Sequence, residues 1–198
     1  MYNDITGIIL AGGKSKRMGV NKALLKIGGK TIIEKTAELM SILFNRVLII
    51  TNSFVEYQFL GLEMFEDIHK NIGPLAGIHS GLVHSDTEKN FIISCDVPLM
   101  IKEMIEYIIE YKSNKPIKFC EAAGYHQPLV GVYKKEIPVK IENFLSDNDE
   151  TTDKSFHHFL KKVNAEIIDP QNLLFYKDEL FFNVNSPDDY SLILSKYN

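Results

Sequence analysis

The chain has 198 residues, 45% of them hydrophobic and 24% charged, which places it among ordinary globular proteins and excludes the fibrous and disordered classes. A formal net charge of -4 argues against a general nucleic-acid binder, which needs a basic face to displace counterions from the phosphate backbone. No apolar run approaches the roughly 20 residues that span a bilayer, and Met1 to Gly7 lacks the basic start of an export signal, so a cytoplasmic protein without a membrane partner is expected.

The first predicted strand, Ile5 to Leu10, runs directly into the glycine- and lysine-rich stretch Ala11 to Lys22. Thr31 to Phe44 reads as a helix, because Ile32, Ile33, Thr36, Ala37, Met40 and Leu43 share one face and Thr31 can cap the first turn. Strands follow at Arg46 to Thr51 and Leu62 to Glu66. A helix over Leu75 to His84 is entered through Gly73-Pro74, and the strand Phe91 to Ser94 leads into Cys95-Asp96-Val97-Pro98. Beyond a helix at Ile101 to Tyr111 come strands at Ile117 to Glu121 and Leu129 to Tyr133. The remainder is less regular, with helices at Ile137 to Leu145, Ser155 to Val163 and Asp188 to Lys196, and late strand candidates at Ala165 to Ile168 and Phe181 to Val184. This alternation predicts an α/β sheet with crossover helices. Cys95 and Cys120 lie in strand-like runs far apart, which favours buried reduced thiols over a bridge.

The stretch after the first strand has the makings of a phosphate cradle running from Gly7 to Lys22. Glycines let backbone NH groups turn onto an anion while cationic side chains neutralise it. Two better-known motifs are excluded: a Walker loop needs glycine where Ile8 stands, and no glycine triplet has the dinucleotide-binding spacing. Arg17 is one of two arginines in the chain, and its guanidinium can grip phosphate oxygens bidentately. A solvated basic turn is the plain alternative. Asp96 ends a buried-looking strand, at the sheet edge where ligands of open α/β sheets collect, and a carboxylate there can hold Mg²⁺ against phosphates; capping of the next turn is the alternative. No histidine spacing suits zinc, the acidic stretch Ser146 to Asp153 lacks the EF-hand glycine, and Ser15 has no hydrolase context.

Leu10-Ala11-Gly12-Gly13, Arg17-Met18-Gly19 and Lys22 together resemble the amino-terminal signature of nucleotidyltransferases with a GT-A-like fold. Cys95-Asp96-Val97-Pro98 resembles their metal-binding element, and Gly73-Pro74-Leu75-Ala76-Gly77 is similar to the turn of the molybdenum cofactor guanylyltransferases, the MobA family. The resemblance runs collinearly from Thr6 to Asp189. It implies a three-layer αβα fold with a mostly parallel, Rossmann-like sheet containing an antiparallel strand, in one domain over residues 1–198. Residues 1–100 would bind GTP and magnesium, and residues 101–198 the acceptor. Leu10, Ala11, Gly12, Gly13, Lys22, Asn52, Asp67, Gly73, Gly77 and Asp96 would bind nucleotide. Lys22, Arg17 and Asp96 would be catalytic, Asp96 being the Mg²⁺ ligand. Asn183 and Asn185, from an Asn-x-Asn element, would hold molybdopterin, although Ser186 and Asp189 there also read as a plain helix cap. Gln127-Pro128-Leu129 resembles a further family element, so His126 is not assumed catalytic. Implied partners are GTP and molybdopterin, with transient contact to molybdenum-insertion proteins or apo-molybdoenzymes. The chain departs from the pattern at Asn21, where relatives carry aspartate, and at Ser146 to Asp153, whose acidic residues would repel a phosphorylated pterin. A sugar-phosphate nucleotidylyltransferase on the same fold and a non-catalytic nucleotide-binding regulator remain as alternatives.

Overall fold

The computed structural model describes residues 1–12, 21–70, 72–147 and 153–197. Gly13 and Arg17 lie outside the described residues, as does most of the acidic stretch after Ser146. The strands are β1 (Tyr2–Leu10), β2 (Lys26–Ile27), β3 (Lys30–Thr31), β4 (Phe44–Ile50), β5 (Glu63–Phe65), β6 (Lys89–Ser94), β7 (Ile117–Ala122), β8 (Tyr125–Lys134) and β9 (Glu166–Ile168). The helices are α1 (Ile32–Leu43), α2 (Phe54–Tyr57), α3 (Pro74–His84), α4 (Lys102–Glu110), α5 (Ile137–Ser146), α6 (Phe156–Lys162) and α7 (Pro187–Tyr197).

Seven strands form one sheet in the order β5-β4-β1-β6-β8-β7-β9, with β2 and β3 as a separate hairpin. Strand β8 runs antiparallel to both its neighbours, β6 and β7, while the remaining pairs are parallel. The sheet is thus the mostly parallel one with an antiparallel strand that the family resemblance implies. Strands β1, β4 and β6 read as near-continuous apolar runs because both their faces are covered. Side-chain alternation divides them between two cores. Ile5, Ile9, Phe91 and Ile93 pack with Met40, Leu43, Met104 and Ile105 of α1 and α4. Ile8, Leu10 and Ile92 pack on the other face with Leu75, Ile78, Leu82 and Ile141 of α3 and α5. Among the described residues no helix is long and apolar enough to cross a membrane.

Helix α1 buries the predicted face, and Thr31 starts it with a capping box. Its hydroxyl accepts from the Glu34 NH at 3.3 Å, and the Glu34 carboxylate accepts from the Thr31 NH at 2.7 Å. Helix α3 lies close on β1 because position 81 has no side chain: a Cβ there would stand 2.6 Å from Ile8 Cγ2. Gly7 corrects the reading of the phosphate cradle, since it sits inside β1 between Val47 and Phe91. A Cβ on it would meet Met40 and Phe44 at 2.8 Å, so this glycine serves helix packing, and the loop proper begins beyond Leu10.

Other expectations differ as well. Phe181 to Val184 is no strand, for a 3₁₀ turn at Asp178–Phe181 is followed by an irregular extended segment, whose Val184 NH donates to the Asp96 carbonyl at 3.0 Å. The β2–β3 hairpin and the one-turn helix α2 were not foreseen, being too short for periodicity to reveal. Strand β1 also starts earlier than expected, at Tyr2, which pairs with Phe44.

Candidate active site

The register of the parallel strands aligns their carboxyl ends. Leu10 pairs with Ile50 on one side and Ser94 on the other, and Ile50 pairs with Phe65. The pairing continues one residue further, with the NH groups of Ala11, Thr51 and Cys95 donating to the carbonyls of Ile50, Phe65 and Leu10 at 2.9, 2.9 and 3.1 Å. Gly12, Asn52, Asp67 and Asp96 therefore leave the sheet along one edge, where open α/β sheets place ligands. A cleft of about 650 Å³ opens there, lined by Leu10, Ala11, Gly12, Asn21, Asn52, Asp67, Gly73 and Gly77 together with Tyr57, Lys70 and Leu129. That volume suits a nucleotide-sized guest.

The far wall of the cleft is the start of α3. Gly73 adopts φ 62°, a left-handed conformation that favours glycine, and Pro74 occupies the first turn, where its missing NH costs nothing. Among the described residues no side chain caps this helix start. A Cβ on Gly77 would lie 3.1 Å from Leu10 Cδ2 and 3.8 Å from Asp67 Oδ1, so a larger residue would project into the cleft. Asp67 accepts from Asn52 Nδ2 at 2.7 Å, and Lys70 donates to Asn52 Oδ1 at 2.9 Å.

Next to Asn21 and Ser94 of the cleft lining, three polar side chains converge from distant parts of the chain. Lys22 Nζ donates to Asp96 Oδ2 at 2.5 Å and to Asn185 Oδ1 at 2.9 Å. Asp96 is 9% exposed, and its buried Oδ1 has no hydrogen-bond partner among the described residues. Burial, with the Asp96 charge beside it, pushes the neighbouring Cys95 thiol up to about 12. Asn21 caps the short turn that carries Lys22, its Oδ1 accepting from the Ala23 NH at 3.1 Å. Its Nδ2 donates to Glu56 at 3.0 Å and to the Tyr57 hydroxyl at 2.8 Å. An aspartate at this position would face the Glu56 carboxylate and lose the bond to it, which accounts physically for asparagine here.

A family model described as a MobA-like NTP transferase domain matches residues 7–163. The chain belongs to the MobA-like NTP transferase family. Two proteins named probable molybdenum cofactor guanylyltransferase are similar over nearly their whole length. That of Carboxydothermus hydrogenoformans is 35% identical over 98% of both chains, and that of Clostridium perfringens strain 13 is 34% identical over 95% of both. The crystal structure of molybdopterin-guanine dinucleotide biosynthesis protein A from Archaeoglobus fulgidus has the same fold, with a TM-score of 0.78 and 23% identity over 96% of this chain and 97% of that one. As a MobA-like nucleotidyltransferase, the chain is an enzyme of the class its glycine-rich loop suggested.

Of the positions expected in such a site, Leu10, Ala11, Gly12, Asn52, Asp67, Gly73 and Gly77 share the cleft, and Lys22, Asp96 and Asn185 form the polar cluster next to it. Asn183 stands apart, lining a groove of about 480 Å³ with Tyr125, His126 and Gln127 of the β7–β8 hairpin region, and its amide donates to the Phe181 carbonyl at 3.0 Å. The plain capping account of Ser186 and Asp189 holds too. Asp189 accepts from the Asn185 and Ser186 NH groups at 2.9 and 2.8 Å, and the Asp189 NH donates back to Ser186 Oγ at 3.2 Å. Sequence reading missed Tyr57 and Lys70, which carry no motif and reach the cleft only through folding, and it gave Leu129, within the Gln127-Pro128-Leu129 element, no place in the cleft.

Proposed function

We propose that this enzyme transfers GMP from GTP to the terminal phosphate of molybdopterin and releases pyrophosphate. A phosphate oxygen of the acceptor attacks the α-phosphorus of GTP, and the bond from that phosphorus to the α,β-bridging oxygen breaks, the pyrophosphate carrying away the electron pair. No general base is required, because a phosphomonoester is already anionic near neutral pH. The observation that carries this reading is the cluster of Lys22, Asp96 and Asn185 at the mouth of a nucleotide-sized cleft in a MobA-like chain.

Asp67 favours guanine over pyrimidines, since a carboxylate complements the paired N1–H and N2–H₂ donors of a guanine edge. Lys22 would neutralise charge developing on the phosphates while Asn185 holds its ammonium in place, and the backbone of Ala11 and Gly12 would fix the triphosphate for in-line attack. Asp96 fits a hard cation, since one oxygen is buried without a partner and oxygen ligands are what magnesium takes. Mg²⁺ held by Asp96 and substrate phosphates would neutralise the triphosphate and polarise its α-phosphorus. Asn183 and the groove beside Gln127 supply the acceptor side. The dinucleotide product would pass to molybdenum-insertion proteins or apo-molybdoenzymes. Thermal-shift titration with GTP, CTP and UTP in the presence of Mg²⁺ tests the nucleotide, and pyrophosphate release on addition of molybdopterin tests the reaction. Stabilisation by CTP or UTP without GTP would reject the guanine assignment.

A further inference from the structure

Outside the lining of the nucleotide cleft, three potential metal ligands meet that lie far apart in the sequence. His69 follows β5, His79 is in the middle of α3, and Glu142 is on α5. One nitrogen of each imidazole and one carboxylate oxygen lie within 4.8 Å of one another, and among the described residues this is the one such cluster of three. The two rings meet edge to face with centroids 4.5 Å apart, and His79 Nε2 is 3.0 Å from Glu142 Oε1.

Two features set the cluster apart from an ordinary buried histidine with a hydrogen bond. His79 is 1% exposed, and among the described residues neither its Nδ1 nor the buried His69 Nε2 has a hydrogen-bond partner. Orphaned ring nitrogens on adjacent side chains leave donor capacity that the protein itself does not use. Glu142 is exposed, so the cluster opens to solvent on the carboxylate side and an ion has an entry path. Two imidazoles and a carboxylate suit zinc or a similar first-row divalent ion rather than magnesium, which prefers oxygens alone. Ligands of a tetrahedral ion stand about 3.3 Å apart, so gathering these three closes separations by at most about 1.5 Å, a movement of side chains rather than of whole elements.

We propose that His69, His79 and Glu142 form a zinc-class site, with water completing the coordination, that clamps the segment after β5 onto α3 and α5. The Ile68 NH already donates to Ser80 Oγ at 2.7 Å, so the segment lies against α3 before any metal arrives. His69 sits between Asp67 and Lys70, both lining the nucleotide cleft, and ligation would hold the loop that presents them. The site stands independently of which nucleotide the cleft takes.

The test uses the full chain stripped with a chelator and titrated with Zn²⁺ against a chromophoric competitor, and with Co²⁺ as a spectroscopic probe. One equivalent of zinc per chain is expected, with intense visible cobalt bands of a four-coordinate ion. Tm should rise by about 5 to 10 °C at zinc about a hundredfold above the dissociation constant. His69→Gln and Glu142→Gln avoid the core position and should each weaken zinc binding at least about tenfold and dim the cobalt bands. Absence of stoichiometric binding, or zinc binding unchanged in both variants, would overturn the site.

Discussion

Replacing Lys22 tests the proposed chemistry most directly. Its ammonium is held between Asp96 Oδ2 at 2.5 Å and Asn185 Oδ1 at 2.9 Å, with 21% of its side chain exposed and 13% of that of Asp96. The charge is thus positioned before substrate arrives, which is the condition under which one group is worth about 2 to 4 kcal/mol to a transition state. Lys22→Ala should lower kcat/KM by roughly 30- to 900-fold. Loss of the cation also leaves a largely buried carboxylate whose Oδ1 already lacks a partner. The fold should therefore lose about 1 to 3 kcal/mol, a cost separate from the catalytic one. Lys22→Met keeps the aliphatic stem and removes only the charge. Pyrophosphate release with GTP and molybdopterin, measured beside urea midpoints for both variants, separates the two effects. A Lys22→Met enzyme that remains folded and retains kcat/KM within about threefold of the parent would refute the reasoning.

Asp96→Asn should abolish turnover with little change in circular dichroism or urea midpoint, because the amide keeps an oxygen for Lys22; rates near the parent's at saturating magnesium would reject the metal assignment. Gly77→Ala should weaken GTP binding about tenfold or more while leaving stability nearly level, since the gain of about 1 kcal/mol in helix propensity offsets crowding against Leu10; isothermal titration beside a melting curve reads both. Thr31→Ala removes half of the α1 capping box and should cost about 1 kcal/mol, seen as a fall in Tm of about 2 to 4 °C. Alkaline stability has a definite sign. Burial raises Cys95 and Cys120 to about 12, so in the window between their ordinary value near 9 and pH 12 the folded chain binds more protons, and stability falls as pH rises. Burial, then Lys89, lowers Lys118 to about 8, which acts oppositely between there and its ordinary value near 10.5. Two thiols outweigh one lysine, and Tyr57, whose hydroxyl burial raises to about 12, acts in the same sense as the thiols, so stability should fall as pH rises near pH 10, which urea midpoints at two alkaline pH values would check; a rising midpoint would contradict the burial of these groups.

Local physics made much of this molecule readable in one dimension. The face of α1, its Thr31 cap and the strands β1, β4 and β6 follow from periodicity and side-chain size, which act within a few residues. The loop after Leu10 and the carboxylate at Asp96 were visible because strand ends in a parallel sheet share one edge, so motif position along the chain implied position in space. Phe181 to Val184 misled, for an extended apolar segment becomes a strand only when a sheet edge is free to accept it, and here Val184 ties to the Asp96 backbone instead. What only the tertiary structure decided are meetings across long separations. Asn185 reaches Lys22 from 163 positions away, Asn21 finds Glu56 and Tyr57, and His69, His79 and Glu142 converge from a loop and two helices. Such contacts depend on how whole elements pack, with Gly81 setting the approach of α3 to β1, and no short-range pattern encodes that distance.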